Sequence, residues 1–216
     1  MQISVCIASY GEERWRRLAC ERALPSAHAA GAQDIVLRHE PEGDVASSRN
    51  AAAAEAKGDL LVFLDADDEL DPGFLRAMQE AASSSDPERT LYTPKVSYII
   101  RGRAQPAKFW ASKPLREGNW MVIGTMVPKR LFFEVGGFES WPLAYEDWQL
   151  FCKLEKAGAS IVRVPKAVYR AHWSTNSRNK RISREEAVRI HYQIGRELYP
   201  DYYDESWLTL HLRNAR

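Results

Sequence analysis

Short apolar runs alternate with longer stretches of helix-forming residues along the first third of the chain. Residues 3–8 are apolar apart from Ser4 and predict a strand that breaks at Ser9-Tyr10-Gly11, and residues 12–30 predict a helix stopped by Gly31. Residues 34–38, with Ile35-Val36-Leu37, predict a second strand, and 39–44 a polar turn carrying Pro41 and Gly43. Ser47 or Ser48 is then the expected N-cap of an alanine-rich helix that ends at Gly58. Residues 60–64 are five consecutive apolar residues without alternation, the signature of a strand covered on both faces. The order strand, helix, strand, helix, strand implies parallel strands joined by right-handed crossovers, a nucleotide-binding type of α/β half.

The second half is less regular. Residues 72–84 predict a helix, with Asp71 as its expected cap, and 83–87 a surface break. Residues 91–100 are strand-like, and 101–118 predict a long loop or ragged hairpin, because prolines interrupt a segment without periodicity. Residues 121–127 again read as strand, Pro128 opens a short helix, and Gly136-Gly137 closes it. Residues 142–147 lead into a helix whose apolar face holds Leu150, Phe151 and Leu154 and which Gly158 ends. Short strands are expected at 161–164 and 168–169, a polar connection from His172-Trp173, and an amphipathic helix over 183–198.

With 216 residues the chain suits one domain that needs no disulfide or metal staple. The expected division is a nucleotide-binding half over about 1–94, an acceptor-side half over about 95–175 and a helical tail over 176–216. Cys6, Cys20 and Cys152 are far apart and odd in number, which argues against a disulfide framework and for a reducing, cytoplasmic setting. No apolar run approaches a membrane span and no signal peptide is evident. Net charge is only +1, yet residues 31–90 carry 14 acids against 5 bases, while 95–118 carry 6 bases against 1 acid. An acidic sector followed by a basic one fits a cation site beside an anion-attracting surface, and equally fits solvated charge on separate faces.

Chemistry concentrates where the buried strand ends. Asp65, Asp67, Asp68 and Glu69 follow it within five residues. Four carboxylates so close repel one another unless they meet solvent, a helix N-terminus or a hard divalent cation. Glu146-Asp147 opens a helix some 80 residues later, where carboxylates also stabilise a helix N-terminus, and His172 follows before Trp173 as ligand or as a structural histidine.

In this order the motifs resemble the GT-A glycosyltransferases, specifically their large inverting family 2. Asp65-Ala66-Asp67 is similar to the Asp-x-Asp motif, Ser48-Arg49-Asn50 to an Ala-Arg-Asn element, and Val135-Gly136-Gly137-Phe138 with Tyr145-Glu146-Asp147-Trp148 to the acceptor-side signature. The resemblance covers roughly residues 2–175 and implies a Rossmann-like mixed sheet flanked by helices. It departs after the second strand, where Arg38-His39-Glu40 stands in place of an Asp followed by Gly and Ser.

The resemblance implies a metal-dependent inverting transferase that uses a nucleoside-diphosphate sugar, with UDP as leading nucleotide. Asp67 and His172 would be the metal side, with Mn²⁺ or Mg²⁺ as cofactor. Ala8, Tyr10, Glu12, Glu40, Arg49, Asp65 and Ala66 would line the nucleotide site. Asp147 would be the general base and Glu146 would position acceptor or sugar. The implied acceptor is a saccharide or glycoconjugate. A hydroxylated DNA base is the alternative, because Trp110, Trp120, the basic segment 101–116 and the basic run 178–181 could together receive a polyanion with unstacked bases. Two other classes stay open on the residues alone: a haloacid-dehalogenase-like phosphatase with Asp65 as nucleophile, and a nucleotide-sugar-binding module without chemistry.

Overall fold

Strand β1 (Ile3–Tyr10) lies between β2 (Asp34–Glu40) and β3 (Leu60–Asp65) and pairs parallel with both. Flanking strands leave β1 no free edge, and helices packed on the sheet cover its faces, so Val5, Cys6, Ile7 and residues 60–64 are all buried and their sequence does not alternate. The computed structural model describes residues 1–141, 144–173 and 182–215.

The crossover from β1 to β2 is one helical stretch made of α1 (Glu13–Leu18), a π turn at Ala19–Ala23 and α2 (Leu24–Ala29). The return to β3 is α3 (Val45–Glu55). Its N-cap is Asp44 and not Ser47 or Ser48: the Asp44 carboxylate accepts from the Ser47 N–H at 2.8 Å, and the Ser47 hydroxyl accepts from the Asp44 N–H at 2.9 Å. This reciprocal box satisfies two donors where a lone serine would satisfy one. Ser48 is buried and instead donates to the Ser9 carbonyl at 3.1 Å, tying α3 to the end of β1.

After β3 the chain makes β4 (Glu69–Leu70), α4 (Phe74–Ala82), β5 (Thr90–Ile100) and β6 (Arg103–Ala104), followed by β7 (Val127–Pro128) and α5 (Lys129–Glu134). Helix α6 (Glu146–Lys156) leads to β8 (Ser160–His172), and α7 (Arg184–Leu198) and α8 (Glu205–Ala215) close the described chain. The strands form two mixed four-stranded sheets, in the orders β2-β1-β3-β7 and β4-β8-β5-β6. Helices flank them, as the sequence pattern implied.

Some local expectations are corrected and others are met. The two short strands expected at 161–164 and 168–169 are one strand, interrupted by a register shift opposite Pro94 and Lys95. Residues 121–127 are not a strand along their length: only β7 and a bridge between Tyr92 and Met126 pair there. Within it the Gly124 backbone packs directly under the Tyr169 ring, which a side chain at that position would overlap. Segment 101–118 is the expected ragged hairpin and loop: Ile100 lies opposite Arg103, one further bridge joins Val96 and Lys108, and loop with a single helical turn at Leu115–Glu117 follows. Asp71 holds the turn into α4 as expected, its Oδ1 accepting from the Gly73 N–H at 3.4 Å and its carbonyl from the Phe74 N–H at 2.8 Å, while its Oδ2 pairs with Arg170 at 2.5 Å.

Two sequence motifs 88 residues apart lock together. The Asn50 side chain donates to the Phe138 carbonyl at 2.8 Å and accepts from the Phe138 N–H at 3.0 Å. Phe138 in turn meets Phe63 at 4.9 Å between ring centroids. Gly136 and Gly137 precede it with φ of +86° and +68°, a conformation that costs an L side chain and suits glycine. At the other end, the helical tail docks on α6 through His191, whose ring lies 4.1 Å from that of Trp148. Among the described residues, no helix is long and apolar enough to cross a membrane. The basic run 178–181 lies outside the described residues, as do residues 142–143.

The packing of Tyr169 on Gly124 generates a test. Gly124→Ala should destabilise the fold by about 1–3 kcal/mol, because the fully buried ring cannot withdraw. Chemical denaturation checks it, and an unchanged midpoint would contradict the packing described.

Candidate active site

The carboxyl ends of β1, β2 and β3 bring the predicted residues to one edge. Register places Ala8 opposite Asp65 and Tyr10 opposite Glu40, and the Gly11 N–H donates to the Glu40 carbonyl at 3.1 Å, with φ +72° at the glycine. Glu12 follows as an exposed residue paired with Arg14. His39 is held by its neighbours: its Nδ1 lies 3.0 Å from the Ser9 hydroxyl and its Nε2 3.9 Å from Glu13.

Arg49 is buried and joins the two halves of the site. Its Nη2 donates to Asp65 Oδ1 at 2.6 Å and its Nη1 to Glu146 Oε1 at 2.9 Å, and its guanidinium carbon sits 5.1 Å from the Phe138 ring centroid. Burial alone would lower its pKa, but the charges of Asp65 and Glu146 outweigh this and raise it. Arg49, assigned from sequence to the nucleotide lining, therefore positions two other carboxylates. Glu146 is only 3% exposed, so it too is oriented from within. Asp147, one residue on, is less buried, and its two oxygens accept from the Asn119 amide at 2.9 Å and from the Trp148 N–H at 2.7 Å. Asn119 was not singled out from sequence, where a lone Asn in a loop carries no signal.

The acidic turn is tight and stapled by β8. The Asp68 N–H donates to the Asp65 carbonyl at 3.1 Å, with Ala66 buried inside the turn. The Tyr169 hydroxyl accepts from the Asp65 N–H at 3.3 Å and donates to Asp68 at 2.9 Å. The His172 N–H donates to the other Asp68 oxygen at 2.8 Å, and His172 Nε2 meets Glu69 at 2.5 Å. The Asp67 carbonyl accepts from Arg22 at 2.7 Å. Of the four clustered acids, Asp68 and Glu69 thus hold the turn together and were not assigned roles from sequence.

Asp67 and His172 line one cavity of about 680 Å³ with Arg22. The rest of its lining is Trp15, Ile100, Arg101 and Trp173. Ala8, Tyr10, Glu12, Glu40, Asp65, Glu146 and Asp147 lie outside that lining. A second cavity of about 660 Å³, at the opposite ends of β1 and β3, includes Lys57, Lys129 and Phe133 and none of the predicted site residues. Burial first, and then the charge of Asp65, raise the pKa of Asp67. Burial first, and then Asp67 and Asp65, push Asp68 well above the usual carboxylate range. Such a turn carries excess negative charge that a cation would relieve. Among the described residues no three His, Cys, Asp or Glu side chains form a complete metal cage, so any cation here needs oxygens from a bound ligand as well.

A carboxyl whose folded-state pKa is raised binds its proton more tightly when folded. Its contribution is therefore most favourable below the unfolded value near 4 and is lost as pH rises towards the folded value. Without divalent cations, the stability of Asp68→Asn relative to the parent chain should rise as pH is raised from about 4 to 8. Thermal melts across that range check this, and a difference independent of pH would contradict the assignment of strain to Asp68.

The Glycosyl transferase family 2 model matches residues 22–138. The chain is 27% identical over 139 residues to the O-antigen biosynthesis protein RfbC of Myxococcus xanthus, covering 63% of this chain and 11% of that protein. It therefore spans about a tenth of that curated relative. Among solved structures, S. aureus TarS 1-349 is similar with a TM-score of 0.66 and 16% identity, covering 100% of this chain and 71% of the other. The same protein in complex with UDP-GlcNAc gives 0.69 and 15% over the same shares. The likeness is one of fold, the GT-A arrangement of mixed sheet and flanking helices. By this match over more than half of its length, the chain belongs to glycosyl transferase family 2.

Proposed function

We propose that this chain moves a sugar from a nucleoside-diphosphate sugar to a hydroxyl of a saccharide or glycoconjugate by a single inverting displacement. The observation that carries this reading is the buried Arg49, which holds the Asp65 carboxylate at the end of the nucleotide-type sheet and the Glu146 carboxylate beside Asp147 on one guanidinium. UDP is the preferred nucleotide, supported by the crystal structures of the similar TarS with UDP-GlcNAc and with UDP.

The roles follow from charge and geometry. Ala8, Tyr10, Glu40 and Asp65 share the strand edge where a ribose and base can bind, with Glu12 beside it. Asp147 takes the proton from the acceptor hydroxyl as its oxygen attacks the anomeric carbon. The bond from that carbon to the β-phosphate oxygen breaks, and the diphosphate leaves with the electron pair. Asn119 and the Trp148 N–H fix the Asp147 carboxylate for this task, and Arg49 fixes Glu146.

Asp67 fits a Mn²⁺ or Mg²⁺ ion, because its carboxyl is crowded by Asp65 and lines the cavity. When bound, such an ion offsets the charge of the diphosphate. His172 would join it only by exchanging its Nε2 contact with Glu69 or by using Nδ1. The three free cysteines support a reducing, cytoplasmic setting.

Membership of family 2 removes the phosphatase alternative. The nucleic-acid acceptor loses support from the packing of its aromatic residues. Arg163 covers the Trp120 ring at 5.1 Å and the neighbouring Phe109 ring at 5.0 Å, so the Trp120 face is occupied by a cation of the chain itself.

Asp147→Asn keeps size and removes basicity. It should lower turnover by about 10²-fold or more while leaving Mn²⁺-dependent UDP affinity nearly unchanged. Transfer assays with UDP-sugars, paired with UDP titration in Mn²⁺ and in EDTA, check both parts. Retained turnover, or a sugar product with retained anomeric configuration by NMR, would exclude this mechanism.

A further inference from the structure

Arg101 occupies a position its backbone disfavours. The β5–β6 hairpin turns through Arg101 and Gly102 at φ of +49° and +75°, with Ile100 and Arg103 as the last paired residues. Two-residue hairpin loops with both central residues at positive φ take Asn, Asp or Gly at the first of them. An arginine there pushes its Cβ against the following carbonyl; glycine would remove that contact, and asparagine offsets it by hydrogen bonding to the local backbone. Tyr145 is the one other described non-glycine residue at positive φ, and it immediately precedes Glu146-Asp147. Strain of this kind persists where a side chain is needed in one place.

The place is the cavity beside the acidic turn. Arg101 lines it with Asp67 and His172. Its partner cation Arg22 is already committed to the Asp67 carbonyl. Arg101, by contrast, makes no hydrogen bond or ion pair among the described residues, so its five donors face the cavity and solvent. An exposed arginine at a hairpin tip would ordinarily be solvated surface charge. The unfavourable backbone and the cavity lining, two independent observations, point the other way.

We propose that Arg101 is an anion-binding residue of the active site, contacting the phosphates of the nucleoside diphosphate from the hairpin side of the cavity. The proposal rests on the transferase reading above and extends it to a residue outside the acidic turn. Guanidinium pairs well with phosphate because its fork of donors can bind two oxygens at once. Binding from the hairpin also means that the second sheet supplies part of the donor site, although the nucleotide is expected at the first.

The test separates ligand binding from folding because the two should move in opposite directions. Arg101→Asn should raise the melting temperature by roughly 2–4 °C, as the turn accepts its preferred residue. It should weaken UDP binding in Mn²⁺ by about 10- to 100-fold and leave uridine binding unchanged. Arg103→Asn removes the same charge next door and should leave UDP affinity unchanged. Full UDP affinity in Arg101→Asn, with the parent chain binding UDP normally, would overturn this assignment alone. An equal loss in Arg103→Asn would overturn it in favour of bulk charge. Failure of the parent chain to bind UDP at all would overturn the underlying transferase reading and this assignment together.

Discussion

A single buried guanidinium ties this structure together. Taking a cation out of water is costly, and Arg49 is tolerated only because two carboxylates and an aromatic face surround it. Those carboxylates are 16 and 97 residues away, one at the end of β3 and one at the start of α6. Each is itself oriented by the contact. Losing Arg49 would remove a guanidinium paired with the nearly fully buried Glu146 and with Asp65, so the interaction is a constraint on fold and on site at the same time. Asn50, the next residue, reinforces it by bracketing the backbone of Phe138, on whose ring the guanidinium rests.

A second layer of restraint surrounds the acidic turn. Tyr169, Arg170 and His172 of β8 bond Asp68, Asp71 and Glu69, so an excess of negative charge is held in a fixed shape by a strand of the other sheet. The turn is thereby pre-organised with Asp67 directed to the cavity and its companions occupied. Pre-organisation matters for chemistry on a diphosphate, because donors and charges already in place need not reorganise as the bond breaks.

Much of this was legible in the sequence, for a physical reason: the first half folds through local signals. Apolar runs, glycine stops and small-residue helices mark β1 to β3 and their crossovers, and the Asp65 to Asp67 turn follows from where the third run ends. The second half depends on distant contacts. That Ser48 would bond Ser9 and leave the cap to Asp44 depends on β1 packing under α3. The need for glycine at 124 depends on the Tyr169 ring, 45 residues on. Asn119 had no sequence signal, and Glu69 and Arg101 were visible only as members of an acidic cluster and a basic segment, because an amide, an acid or an arginine in a loop acquires its particular role only from what the fold sets opposite it. Arg49 was visible as a motif, yet its partnership with Glu146 was not.

The central claim is that Arg49 couples the donor-side and acceptor-side carboxylates, and a double-mutant cycle on stability measures that coupling directly. Arg49→Met, Glu146→Gln and the double variant would be compared by denaturant unfolding. Arg49→Met alone should cost about 3–5 kcal/mol, since it removes one member of a buried charge network. Adding Glu146→Gln to it should recover a substantial part of that loss, giving a coupling energy of roughly 1–3 kcal/mol. Strictly additive effects of the two substitutions would contradict the account.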